Sequence, residues 1–282
     1  MVAVGLDLDG QVVAHAEIPC ADAAAATLDA LRRVGHAGWS SVGIAALDPG
    51  SAAARDALAA VMAASPRPFA GGVTPAGTAA AVAEAWTGAA RGSADLAYLA
   101  LADHVSAGLV RGGVPVTGAN GRAASVAWLA LNPVEREDYR KAGCLEAEVS
   151  AAGIVRRLVW RIKAGDASAV QSAAGGELSA ITLAHVIEGA RARDGVSISV
   201  MRDTAKYVGM AAANLVVIAD PEVLVLGGIL AESPEILFDL VKIEIARRLP
   251  EATLKTLTIV PGVLGVEAAA IGAARLAAVA GS

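Results

Sequence analysis

The sequence predicts an α/β protein. Strand-like and helix-like stretches alternate from one end of the chain to the other, and Gly-, Pro- and Asp-containing turns separate them. Hydrophobic residues make up 55% of the 282 residues and charged residues 18%, a balance that supports a large buried core and excludes intrinsic disorder and coiled coil. Aromatic residues are only 3%, so the core is expected to be built from Ala, Val, Leu and Ile packed closely together. That composition also leaves few rings on which bases could stack.

Charge, cysteines and hydropathy narrow the partners. A net charge of −5 gives no field to attract phosphate backbones, so no nucleic-acid partner is expected. Cys20 and Cys144 are too few for a disulfide framework or a four-ligand zinc site and suit a reducing compartment. The start, MVAVGLDLDGQ, lacks the basic segment and long apolar run of a secretory signal. The most apolar stretch, AAANLVVIADPEVLVLGGILA, is cut by Asp220, Pro221 and Glu222 before reaching the ~20 residues that cross a bilayer. A cytoplasmic protein with no membrane partner is expected.

Taken in order, residues 2–8 and 11–18 are β-branched runs joined by Asp9-Gly10, a hairpin signal. Residues 21–34 place Ala25, Leu28 and Leu31 on one helical face, with Arg32 and Arg33 at the end that favours cations. A strand at 41–47 is stopped by Asp48-Pro49-Gly50; a helix at 51–64, a short strand at 68–73 and a helix at 77–87 follow. The pattern then resets. Residues 96–102 and 108–110 read as a second hairpin, and helices are expected at 146–163, 166–173, 178–193 and 197–218. Strands at 223–226 and 256–260 bracket a helix at 234–248, and a helix at 267–279 closes the chain. Two domains are expected: residues 1–90, completed by the closing helix 267–282, and residues 91–266.

Four strings carry a resemblance. TGANGRAAS, AGCLEAEVSAAGI, NLVVIADPEVLVLGGILAES and TIVPGVLGVEAAAIGAARLA, in that order, resemble the ROK family of repressors and sugar kinases over nearly the whole chain. The resemblance implies an actin-like ATPase (sugar kinase) fold with two ribonuclease-H-like domains, an ATP and sugar cleft between them, and a homodimer.

The family's site motifs are altered throughout. Its general base is the Asp of an Asn-Asp-x-Asn-Ala-Ala-Ala string, and PAGTAAAVAEAW puts Pro75 and Ala76 there, where a methyl group cannot accept a proton. The same segment is also an ordinary helix start. Where the family has Gly-Glu-Ile-Gly-His for sugar hydroxyls, ASVAW places Ser125 and Trp128. Glu146, in the Cys-Leu-Glu string, is the one expected sugar-contacting carboxylate retained; its other reading is a helix N-terminal carboxylate. The family's zinc cluster, a His with Cys-x-Cys-x-x-x-x-Cys, is matched by Glu137, Tyr139 and Cys144 of EDYRKAGC with Trp128 in place of His, so no zinc is expected. His15, His36, His104 and His185 are scattered and read as surface or capping groups.

Phosphate-binding turns are altered too. The glycine-rich turn of the second domain reads ADHVSAG, with Ala102, His104 and Ser106 replacing glycines and Gly108 retained, and each replacement blocks part of an amide cradle. Gly227-Gly228 matches the adenosine-side glycines or an ordinary strand-to-helix turn. By similarity DLDGQVVAHAEIP matches the family's second and third strands, whereas packing places residues 2–8 in the central position, with Asp7 and Gly10 near the phosphate turn.

The reading is a ROK-family sugar-kinase-like protein, catalytically inactive and acting in ligand binding, regulation or assembly, with no cofactor. The alternative is an active ATP- and Mg-dependent hexose kinase with relocated chemistry at Asp7 or Asp103. A repressor would need a helix-turn-helix segment ahead of the fold, for which the chain has no residues. A homodimer is expected, with a small sugar or nucleotide as ligand.

Overall fold

The computed structural model describes residues 1–280 apart from 8, 10, 20, 36–39 and 65–69. Gly10, Cys20 and His36 therefore lie outside the described residues. In chain order the elements are β1 (Val2–Leu6), β2 (Val12–Glu17), α1 (Ala23–Val34), β3 (Ser41–Ala46), α2 (Ala52–Ala64), β4 (Ala70–Pro75) and α3 (Ala76–Trp86). Next come β5 (Leu96–Leu101), β6 (Val105–Arg111), β7 (Val114–Pro115), α4 (Glu137–Ala142), α5 (Cys144–Val149), α6 (Ala151–Lys163), α7 (Ala169–Ala173), α8 (Leu183–Arg191) and α9 (Gly195–Ala219). The chain ends with β8 (Val223–Gly228), α10 (Ile229–Glu232), α11 (Pro234–Ala246), α12 (Glu251–Thr256), β9 (Thr258–Pro261) and α13 (Ala268–Ala280).

Two compact units result. The first comprises Met1–Tyr98, Ala107–Ala124 and Gly262–Ser282, and the second Leu99–Ser106 and Ser125–Pro261. Besides its N-terminal run and the closing helix, the first unit takes in the run from Ala107 to Ala124. Three sheets are present among the described residues: β1-β2, β3-β4, and a five-stranded sheet in the order β7-β6-β5-β8-β9.

In the first unit, β1 pairs antiparallel with β2, Val2 opposite Glu17, with a bulge between Gly5 and Leu6. The placement of residues 2–8 at the centre of a sheet is corrected: the strand ends at Leu6, and its only ladder among the described residues is to β2. β3 and β4 form their own parallel pair, Ser41 opposite Ala70. Asp22 caps α1 by accepting from the N–H of Ala25, and Arg32 and Arg33 lie in its last turn. The closing helix α13 packs on α3 and β3 at backbone-to-backbone distance: a Cβ at Gly272 would lie 1.7 Å from the Ala79 carbonyl oxygen, and one at Gly43 1.9 Å from that of Ala273. The carboxylate of Glu84, buried on α3, accepts from the N–H groups of Ala89, Val263 and Leu264, fixing the chain that leads into α13.

The second unit is helical around β8 and β9, which pair in parallel with Leu224 opposite Ile259. Its core includes Leu145, Ile154, Leu158, Met201, Leu224, Leu226, Leu237 and Ile245, all buried. The helix expected over 146–163 is two helices, because Ser150 turns extended (φ −61°, ψ 160°) and its hydroxyl caps α6 at Gly153. Ser168 caps α7, and Thr182 caps α8 in a capping box completed by the His185 ring. α4 and α12 were not expected from the pattern; both are short helices of six residues. Asp194 caps α9, accepting from the N–H of Ser197 and Ala169 and the hydroxyls of Ser197 and Ser168.

Two predictions follow from this packing. Gly272→Ala and Gly43→Ala should each lower the unfolding free energy by roughly 1–3 kcal/mol, because backbone must move to admit a methyl. Gly72→Ala, whose Cβ would meet nothing within 4 Å, is the control and should stay near wild type in denaturant unfolding. Burial pushes the Asp194 carboxyl up, but its four hydrogen bonds outweigh this and hold it below the ordinary aspartate value. A depressed carboxyl stabilises the fold above its unfolded pKa. Asp194→Ala should therefore cost about 1 kcal/mol at pH 7. The gap to wild type should close as pH falls below ~4, read from unfolding curves across pH.

Candidate functional site

The sequence-predicted residues fall into separate groups. In the first unit, Pro75 is the cap of α3 and Ala76 its first residue, with no side-chain cap and no acidic residue in the first turn. Gly77 explains why this helix start carries no bulk, since its Cβ would lie 2.1 Å from the Ala107 carbonyl oxygen. Gly108 meets Gly77 the same way, at 2.2 Å from the Gly77 oxygen, so its lack of a side chain serves the contact of β6 with α3. The Thr78 hydroxyl beneath is buried without a hydrogen-bond partner. Asp7 is committed to its own turn: its carboxylate accepts from the N–H of Asp9 at 3.0 Å and of Gln11 at 2.8 Å.

In the second unit the β5–β6 turn and α5 meet. Glu146, with its side chain only 13% exposed, points one carboxylate oxygen at Nδ1 of His104 (2.7 Å), and its other oxygen accepts from the N–H of Val105 (2.8 Å). The carbonyl of Ala102 accepts from the N–H of Ala151 at 3.1 Å, so the turn is tied to the helix start as well. His104, expected as a surface or capping group, is thus exposed but anchored by a hydrogen-bond partner. Sequence reasoning missed this pair because the two residues are 42 positions apart. Asp103 beside it is exposed. Gly228, at the end of β8, has φ +61°, and a Cβ there would lie 1.9 Å from the Leu101 carbonyl oxygen. This glycine is required by backbone geometry and packing together.

Ser125 is exposed and precedes a 3₁₀ turn, Val126–Trp128, that packs on α5. Gly143, at φ +94°, lets this turn approach: its Cβ would lie 2.2 Å from the Ala127 carbonyl oxygen. The Trp128 ring is 59% exposed and lines a shallow depression of about 270 Å³ with Asn132, Tyr139 and Cys144.

These residues do not fit the zinc that the resemblance implies. Glu137 is exposed and paired with Lys141 at 2.7 Å, and the Tyr139 hydroxyl donates to the Glu148 carboxylate. Trp128 has no metal-binding atom, and Cys144 alone supplies one thiolate where four ligands are needed. Among the described residues no three His, Cys, Asp or Glu side chains gather as metal donors.

Comparison with known proteins fits this architecture. The ROK family model matches residues 76–280. The chain is 30% identical to a glucokinase of Halalkalibacterium halodurans over 165 residues, 58% of this chain and 50% of that protein. It is 28% identical to a glucokinase of Thermotoga maritima over 194 residues, 68% of this chain and 61% of that protein. The chain thus spans about half to three fifths of the length of these curated relatives. The crystal structure of a ROK family glucokinase from Streptomyces griseus in complex with glucose and AMPPNP superposes with a TM-score of 0.81 at 23% identity, covering 98% of each chain. The fold is that of the ROK sugar kinases, an actin-like ATPase fold, and no helix among the described residues is long and apolar enough to cross a membrane. With its family model matched over most of its length, the chain belongs to the ROK family.

Proposed function

We propose that this ROK protein, sugar-kinase-like in fold, does not transfer phosphoryl groups and acts instead by ligand binding, regulation or assembly. The observation that carries the reading is the head of α3, where Pro75 and Ala76 offer no atom that could take a proton from a sugar hydroxyl. The retained carboxylate supports it. Both oxygens of Glu146 are engaged with the β5–β6 turn, and the Val105 N–H that a phosphate would seek is filled by that carboxylate. An anion approaching the turn meets a negative charge where a cradle of amides would be needed. No ATP, Mg or zinc is part of this reading.

The likeness to two glucokinases favours a second reading, an ATP-dependent hexose kinase with relocated chemistry. Asp103 is then the base to test, since Asp7 holds its own turn. A homodimer, with no nucleic-acid or membrane partner, belongs to both readings, as does a cytoplasmic location. The support for a homodimer in the second unit is the pair of apolar side chains at the end of α9, Val217 and Ile218, exposed at 68% and 74%.

Purified protein given ATP, Mg and glucose, mannose or an N-acetylated hexosamine should release no sugar-dependent ADP. Turnover at ~1–100 s⁻¹, abolished by Asp103→Asn, establishes the kinase reading instead. Ala76→Asp should stay inactive, because positioning of both substrates is missing as well as the base. In a thermal-shift screen of sugars and nucleotides, a true ligand at 100 times its Kd should add about 2.7 kcal/mol of stability. Glu146→Ala, which strips the Val105 N–H and His104 of their acceptor, should cost about 1–3 kcal/mol with no ligand present. Light scattering at micromolar concentration should give the mass of two chains.

A further inference from the structure

We propose that this chain has exchanged the structural zinc implied by its family for a metal-free staple centred on the buried carboxylate of Glu148. The side chain of Glu148 is 4% exposed and sits on α5. One of its oxygens accepts from the Tyr139 hydroxyl and, at 3.0 Å, from Nη1 of Arg136; the other faces Nε of Arg157 at 3.9 Å. Arg157, on α6, also donates to the Thr204 hydroxyl of α9. Asn132 donates to the hydroxyls of Tyr139 and of Tyr207 on α9, both at 3.3 Å. Arg136 lies over the Tyr139 ring, 4.8 Å from its centroid, and pairs with Asp138 at 2.7 Å, which Arg156 of α6 reaches at 3.1 Å.

The connectivity is that of a cross-link. One segment, Asn132 to Tyr139, is fastened at a single buried centre to α5, α6 and α9, which is what a tetrahedral metal does for a loop that cannot bury enough apolar surface alone. Charge balance supports the assignment. Two guanidiniums face one buried carboxylate, and Asp138 beside them faces Arg136 and Arg156. Burial and the bond to Glu148 push the Tyr139 phenol above its ordinary value, so the hydroxyl keeps its proton and remains a donor. Cys144 packs against Tyr139 and Ala147 as a small apolar side chain.

The test compares metal content with the thermal midpoint of the full chain. Elemental analysis should find no stoichiometric zinc, and a strong chelator should leave the midpoint unchanged. Glu148→Gln leaves two cations without their carboxylate and should lower the midpoint on the order of 5–15 °C. Tyr139→Phe, the milder variant, should lower it by a few degrees and keeps the test decisive if Glu148→Gln does not fold. The double variant should lose less than the sum of the two, because they share one bond. One zinc per chain whose removal lowers the midpoint overturns the proposal. So do single variants that unfold at the wild-type midpoint, or effects that simply add.

Discussion

Everything in the first unit depends on how closely its elements approach one another. With so few aromatic side chains, apolar burial comes from Ala-rich faces, and helices and strands must touch nearly backbone to backbone to exclude water. Gly43, Gly77, Gly108 and Gly272 mark those contacts, each with a carbonyl oxygen about where a Cβ would sit. The closing helix is thereby locked to α3 and β3, although it begins 182 residues after the end of the first and 222 after the end of the second. Such contacts gain dispersion energy only at short range, so each added methyl is felt.

Buried carboxylates complete what small side chains leave undone. Glu84 gathers three backbone N–H groups, Glu146 holds the β5–β6 turn, Glu148 gathers a tyrosine and two arginines, and Glu244 pairs with Arg247 and Arg248. A buried charge is costly unless fully paired, so each of these groups fixes the position of several partners at once. Glu146 stands where the resemblance implies a sugar contact, and Glu148 bonds Tyr139, which stands where it implies a zinc ligand. At Glu146 and around Tyr139, side chains that would face a guest are turned to internal bonding.

That shift gives the proposed loss of catalysis a physical form. A phosphoryl-transfer site needs unpaired acceptors and amides waiting for substrate, which is expensive to keep in a folded protein. At the α3 head Pro75 and Ala76 supply no side-chain acceptor, and at the β5–β6 turn the amide and the carboxylate satisfy each other. On the proposed reading, the arrangement favours stability and a fixed surface over chemistry.

The sequence by itself determined the class, the order of the longer elements and the family. Alternating periodicity and turn residues are local signals, and the ROK strings keep their spacing even where their chemistry has changed. The helix caps emerged only in the structure: Asp22 and Ser150 fall inside the helices expected over 21–34 and 146–163, and Asp194 lies between those expected over 178–193 and 197–218. That Ala76 stands at the position where the resemblance expects a base was visible in the sequence. Only the tertiary structure decided which polar residues meet. His104 with Glu146, Tyr139 and Arg157 with Glu148, and Asn132 with Tyr207 are pairings across turns and helices with no fixed spacing in the chain. The place of β1 was likewise settled by tertiary pairing, because a β-branched run specifies extended backbone but not which edge it will find.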